Sequence, residues 1–234
     1  MTNTARLNNI QHKDLKVIAR FSAAFGDNVN QVAIVPTEFE AIQRDYPILL
    51  SKSAEGEYQA LALLGLDKDE NLFLDQQGWH ARYVPGMLVR GPFLIGMQQQ
   101  EGMIHVDLDD PRVSRSEGEL LFLPQGGHSP YLEHITRVLR MMHAGMSVSG
   151  SMYAAFEELK LIEPVALQID LNDREQYRLA DYYTIGEERL AQLGGADLER
   201  LHKAGYLQAA YFVVSSMKNI NRLIELKNGR RAAR

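Results

Sequence analysis

Cysteine is absent from the 234 residues. That excludes disulfides, thiolate zinc sites, iron–sulfur clusters and thiol nucleophiles. Long hydrophobic runs are missing too. The most apolar windows, residues 60–66 and 209–214, fall far short of the roughly 20 residues that span a bilayer. The first 20 residues carry no apolar stretch behind a basic start, so no secretory leader is read there and a cytoplasmic location is expected. No sign of charge dominates: 25 Lys and Arg against 30 Asp and Glu leave a net charge of −5, which gives no whole-protein footprint for nucleic acid. There is no internal repeat or low-complexity tract, which removes solenoids and whole-chain disorder.

Apolar periodicity divides what remains. Strand patterns dominate residues 15–123. They include 17–19, 31–35, 47–50, a central strand at 58–66 that is apolar on both faces, and a hairpin of 93–98 with 103–108. Thr37 and Glu40 have the spacing of a capping box, and so do Thr184 and Glu187. From 129 onward the period becomes helical. Ser129-Pro130 reads as an N-cap followed by proline at the first helical position. Leu132, Ile135, Leu139 and Met142 share one face of that helix, and a second helix is expected over 151–161. A hairpin of 165–171 with 176–183 follows, then three helices. The expected fold is α+β: an antiparallel-rich β subdomain over 1–127, followed by a mainly helical subdomain over 128–234 that contains a β-hairpin. Residues 1–14 read as an arm, and the basic 230–234 tail as a loose solubilising end.

Chemistry-bearing patterns are sparse. His105 and Asp107 are two apart on a strand, hence on one face, the spacing used by the facial triad of non-haem iron oxygenases. The third ligand has no obvious source: His128 sits in the next loop, His143 and His202 fall on expected helices, and the helical run after 129 contradicts a barrel that would supply it from a later strand. His134 and His143, about 180° apart on one helix, cannot share a metal either. The bland alternative is a half-exposed strand face. The run Pro124-Gln125-Gly126-Gly127-His128-Ser129 leads into a helix start and offers backbone amides to an anion. No phosphate-loop or dinucleotide fingerprint accompanies it, and no GxSxG nucleophile motif occurs. Nothing calls for a cofactor. Residues 186–234 carry 9 basic and 5 acidic side chains, and 184–207 have a helix-turn-helix outline. Three of the nine positives lie in the tail, so the folded helices are close to neutral and nucleic acid is not expected as a partner. The densest aromatic, Arg and Pro stretch runs from Trp79 through Tyr83, Pro85, Arg90 and Pro92 to Phe93. Such side chains suit a binding surface, and they suit equally a clasp between subdomains.

Read together, these residues resemble the SapC family of bacterial proteins. The resemblance runs from Leu7-Asn8, His12 and Leu15 through Glu38-Phe39 and Asp45-Tyr46-Pro47-Ile48. It continues in Leu63-Leu64-Gly65-Leu66, Glu70-Asn71-Leu72-Phe73, Trp79, Tyr83-Val84-Pro85, Arg90 and Pro92-Phe93. Gly118-Glu119-Leu120-Leu121-Phe122, Leu159-Lys160-Leu161-Ile162-Glu163-Pro164 and the leucines of the last helices complete it. Gly91 and Leu123-Pro124-Gln125 depart from the pattern. The resemblance implies an accessory role linked to surface-layer export, or to uptake and modification of an imported compound. It brings no catalytic residues with it. The expectation is a non-catalytic binding protein for a peptide, a glycan or a protein partner, with self-association open. Its candidate binding residues are Tyr46, Trp79, Tyr83, Arg90 and Phe93. A metal-dependent oxygenase using His105 and Asp107 is the alternative.

Overall fold

The computed structural model describes residues 3–98, 101–172 and 175–232. The chain opens with β1 (Thr4–Arg6), β2 (Lys16–Val17), β3 (Gln31–Ile34) and the one-turn helix α1 (Phe39–Ile42). A hairpin follows, β4 (Ile48–Lys52) and β5 (Tyr58–Leu63). Its loop bends at Gly56, φ +87°, a conformation glycine adopts without a Cβ penalty. Next come β6 (Leu74–Asp75), β7 (Gly78–Trp79), the short helix α2 (Gly86–Val89), and the pair β8 (Phe93–Gln98) and β9 (Glu101–Asp107). β10 (Val113–Ser114) and β11 (Glu119–Leu120) end the strand-rich stretch. The rest is α3 (Pro130–Glu158), a hairpin of β12 (Ile162–Asp170) and β13 (Gln176–Ile185), and four helices: α4 (Glu187–Ala191), α5 (Gly195–Lys203), α6 (Tyr206–Ser216) and α7 (Asn219–Ala232).

This is an α+β fold with antiparallel sheets and a helical C-terminal region. The largest sheet has the order β12-β13-β4-β5-β3. β5 lies inside it, which accounts for a strand apolar on both faces. The sheet draws strands from both sides of residue 128, and β13 joins β4 at the pair Tyr183–Leu50. Two three-stranded sheets, β1-β9-β8 and β10-β2-β11, stand beside it.

Two main hydrophobic cores result, beside a small third cluster of Leu66, Ile169 and Leu171, and α3 runs through both main ones. The larger core packs Phe39, Tyr46, Leu50, Leu64 and Phe73 with Tyr153, Phe156 and Val213. The smaller one packs Leu15, Val17, Phe93, Val106 and Leu121 with Leu132, Ile135 and Leu139. The 29 residues of α3 extend about 43 Å at 1.5 Å per residue. The sequence predicts two helices here, the second over 151–161; the residues between, 145–151, are rich in Gly and Ser. They form one helix because each end is anchored in a different core. Its serines also return their hydroxyls to carbonyls of the preceding turn, for example Ser149 to Gly145 at 2.9 Å. Gly145 is required for closeness: a Cβ there would lie 2.6 Å from Thr37 Oγ1 and from Val35 Cβ.

Local expectations divide. Ser129 caps α3 by accepting from the Leu132 amide at 3.1 Å, as its position predicted. Neither expected Thr–Glu capping box forms. The turn before α1 begins at Pro36, and Glu38 reaches back to the Val35 amide instead. Thr37 Oγ1 donates to the Met141 carbonyl. β13 extends to Ile185, so Thr184 is a buried strand residue and Gly186 is the N-cap of α4. The last of the three expected helices, read as one over 206–228, is two, α6 and α7, broken near Met217. The arm docks: β1 pairs with β9, and His12 is 5% exposed. The tail is tied down at Arg230, which donates to the Asn71 and Leu74 carbonyls; residues 233 and 234 lie outside the described residues.

Candidate functional site

The aromatic stretch is shared between the two cores. Tyr46, completely buried, donates its hydroxyl to the Tyr83 carbonyl at 2.5 Å and accepts from Trp79 Nε1 at 2.8 Å. The Trp79 ring meets Phe21 edge-on, with centroids 5.6 Å apart. Tyr83 donates its hydroxyl to Glu38 at 3.0 Å. Phe93 is completely buried in the smaller core, facing Tyr131 at a ring distance of 6.3 Å. Arg90 donates to the Phe93 carbonyl at 2.9 Å and to Met87 Sδ at 3.0 Å. It meets no carboxylate, and burial makes its guanidinium easier to deprotonate, with Asp110 opposing. The five candidates therefore form no continuous patch. Tyr46 and Phe93 offer no side-chain surface, while Trp79, Tyr83 and Arg90 are half-buried.

Half of this stretch walls a cavity of about 400 Å³. Apolar contacts come from Phe21, Tyr83, Leu88, Val89 and Val138, and Gly91 lies at its edge. Arg20, Arg82, Arg112 and His134 surround them. Four segments build the seat: residues 18–21 after β2, the 82–91 turn around α2, Arg112 in the loop before β10, and the first turns of α3. A volume of this size suits a small organic group or a peptide side chain.

Glu38 fixes one wall. Its carboxylate, 2% exposed, accepts from the Gly86 amide at 2.6 Å, the Tyr83 hydroxyl and the Val35 amide at 3.2 Å. Burial raises its pKa, and those three donors only partly offset the rise. Arg112 fixes another wall. It pairs with buried Asp27 at 2.5 Å and with Asp110 at 3.4 Å, and covers the Phe25 ring at 5.2 Å. Burial pushes Asp27 up, and the Ser22 amide and Arg112 pull against it. Tyr131 is different. Burial pushes its phenol up to about 12, so it is a neutral donor at physiological pH, and it lines the cavity. No hydrogen-bond partner for its hydroxyl exists among the described residues.

Sequence reasoning found Tyr83 and missed Arg20, Phe21, Arg112, Tyr131, His134 and Val138. Arg112 sits in a stretch with no periodicity. The helical period does place Tyr131, His134 and Val138 on one shoulder of α3, beside its buried face, and that signal was there to be used.

The metal alternative does not assemble. His105 packs against Gly96, where a Cβ would lie 2.7 Å from the imidazole Cε1. Asp107 Oδ1 accepts from the Asp109 amide at 3.1 Å in a local turn. Among the described residues no group of three or more His, Asp or Glu could hold a metal ion, so the donor set does not fit a facial triad. In the helix-turn-helix outline, α4 and α5 turn Leu190 and Leu201 to the larger core. No described helix is long and apolar enough to cross a membrane.

Fold and cavity together define an α+β protein with an arginine-bordered, aromatic-walled seat between its two cores. The SapC family model matches residues 7–223, nearly the whole chain. The chain belongs to the SapC family. Comparison with curated proteins and with solved structures finds no match.

Proposed function

We propose that this SapC-family chain is a non-catalytic binding protein, acting in the cytoplasm as an accessory to surface-layer export or to the uptake and modification of an imported peptide or glycan. Its ligand seat is the cavity between residues 18–21, the 82–91 turn and α3. One observation carries the reading. A neutral Tyr131 hydroxyl without an intramolecular partner lines an apolar-walled cavity bordered by guanidinium groups. That hydroxyl opens to the cavity, where a ligand acceptor can take the place of water. A peptide supplies both what the walls and what the donors ask for: an apolar side chain and backbone carbonyls.

The single Trp reports on the seat, because Trp79 touches Phe21 on its wall. Native mass spectrometry of protein from its own source identifies what co-purifies. Titration of that species is expected to change Trp79 fluorescence in the wild type. In Val138→Phe, which fills the cavity, the change disappears while circular dichroism stays that of the wild type. Undiminished binding to Val138→Phe defeats the proposal.

A further inference from the structure

A second cavity, of about 440 Å³, lies on the other shoulder of α3. Its floor is apolar: Leu7, Ile95, Ile104, Phe122 and Leu139. Its rim carries Arg6, Arg140 and His128. No Asp or Glu occurs among its described lining residues, and neither Arg6 nor Arg140 has an ion pair among the described residues. This stands out in a chain of net charge −5. Several guanidinium groups elsewhere in the fold do find carboxylates: Arg82 and Arg222 share Asp45, and Arg112 joins Asp27 to Asp110.

The rim is built, not loose. Arg6 ends β1, whose register on β9 sets it opposite His105. The following residues are held by the Leu7 amide donating to the Ile104 carbonyl at 2.9 Å, and by the Asn8 amide donating to His12 Nδ1 at 3.2 Å. Buried His12 is thus a brace for the cavity wall. On the far side, the glycine-rich run singled out in the sequence supplies Gly127 and His128. Gly126 and Gly127 take φ of +89° and +88°, adjacent left-handed residues that favour glycine. The Leu123 amide donates to the Gly127 carbonyl, and the Gly126 amide to the Leu123 carbonyl.

We propose that this cavity is a second binding site, selective for a monocarboxylate with an aliphatic body, whose chain lies on the Leu7–Ile95–Ile104–Phe122–Leu139 floor and whose carboxylate meets Arg6 and Arg140. A neutral apolar ligand would leave two guanidinium groups uncompensated at the rim. A small inorganic anion would leave the floor wet. An amphipathic anion satisfies both, because charge-assisted hydrogen bonds from arginine to carboxylate are among the stronger polar contacts, and apolar area removed from water adds to them. The site is separate from the seat proposed above. The solvent-facing ridge of α3, with Arg137, lies between the two mouths.

The probe is octanoate, with octanol as its neutral match, titrated calorimetrically at low ionic strength. One saturable octanoate site with Kd below about 1 mM is expected, with octanol at least about tenfold weaker. Arg6→Gln combined with Arg140→Gln is expected to weaken octanoate about tenfold, leave octanol unchanged, and remove the salt dependence seen in the wild type. Both arginines are exposed, so the fold survives their change. Thr136→Phe, which fills this cavity, abolishes binding; Arg137→Gln, outside it, does not. Absence of a saturable octanoate site, equal affinity for octanol, or wild-type affinity in the double variant overturns the proposal. Loss of binding in Val138→Phe with retention in Thr136→Phe also overturns it, and assigns the ligand to the first seat.

Discussion

Removing the Glu38 carboxylate tests whether one buried acid holds the wall of the first seat. Glu38→Ala leaves three donors without their acceptor: the Gly86 and Val35 amides and the Tyr83 hydroxyl. Tyr83 is half-buried and can turn to water, so the two amides dominate. A buried donor left unpaired costs about 1–3 kcal/mol. Part of that is offset, because burial already disfavours the ionised Glu38. The net expectation is a loss of about 2–4 kcal/mol at neutral pH. Glu38→Gln keeps one oxygen for Gly86 and Tyr83 but turns an NH₂ toward the Val35 amide, so about 1–2 kcal/mol is lost. Urea denaturation resolves these values: at about 3 kcal/mol per molar, the alanine variant's midpoint falls by about 1 M.

The pH dependence has a definite sign. The Glu38 pKa is raised above its ordinary value of 4.5 by burial. Its contribution to stability is therefore full below that value, and declines as pH rises through the folded-state pKa. Glutamine does not titrate, so the gap between wild type and Glu38→Gln is widest in acid and narrows as pH rises. An alanine variant within about 0.5 kcal/mol of the wild type, or a glutamine variant less stable than alanine, refutes the reasoning.

Arg112→Ala strands Asp27, which is 1% exposed, and an uncompensated buried charge costs about 3–5 kcal/mol. Losing the guanidinium raises the already elevated Asp27 pKa further, so thermal denaturation should show the penalty shrinking as pH falls through it; an unchanged penalty in acid contradicts the assignment. Two glycines of α3 should respond oppositely to alanine. At Gly145 the new Cβ would lie 2.6 Å from Val35 Cβ, and overpacking of about 1–3 kcal/mol outweighs the helical gain. At Gly150 nothing lies within 4 Å, so Gly150→Ala should stabilise by about 0.5–1 kcal/mol. Melting temperatures that move in the same direction would show that α3 does not press on the Val35–Thr37 turn.

Local physics made much of this fold legible. Short apolar and alternating runs marked β3, β4, β5 and the β8–β9 pair, because a half-buried or central strand leaves its mark on neighbouring residues. Ser129-Pro130 marked the start of α3, since both residues act within one turn. Legibility failed where the deciding partner is remote. Gly and Ser at 145–151 argue against a helix locally, and two cores joined by α3 overrule them. Thr37 and Thr184 have capping-box spacing, yet Thr37 is taken by Met141, more than 100 residues away, and Thr184 is held in a strand.

The site divides in the same way. The sequence by itself determined that the chain lacks thiol chemistry, that its fold is α+β, that its residues resemble the SapC family, and that the aromatic–Arg stretch around Tyr83 and the glycine run before Ser129 are unusual. Only the tertiary structure decided that Tyr46 and Phe93 face inward, that Tyr131 and Arg112 converge on Tyr83, and that Arg6 meets Arg140 across an apolar floor. The physical reason is range. Backbone propensity and side-chain period act over a few residues, whereas a cavity is what remains between surfaces brought together from segments about 100 residues apart.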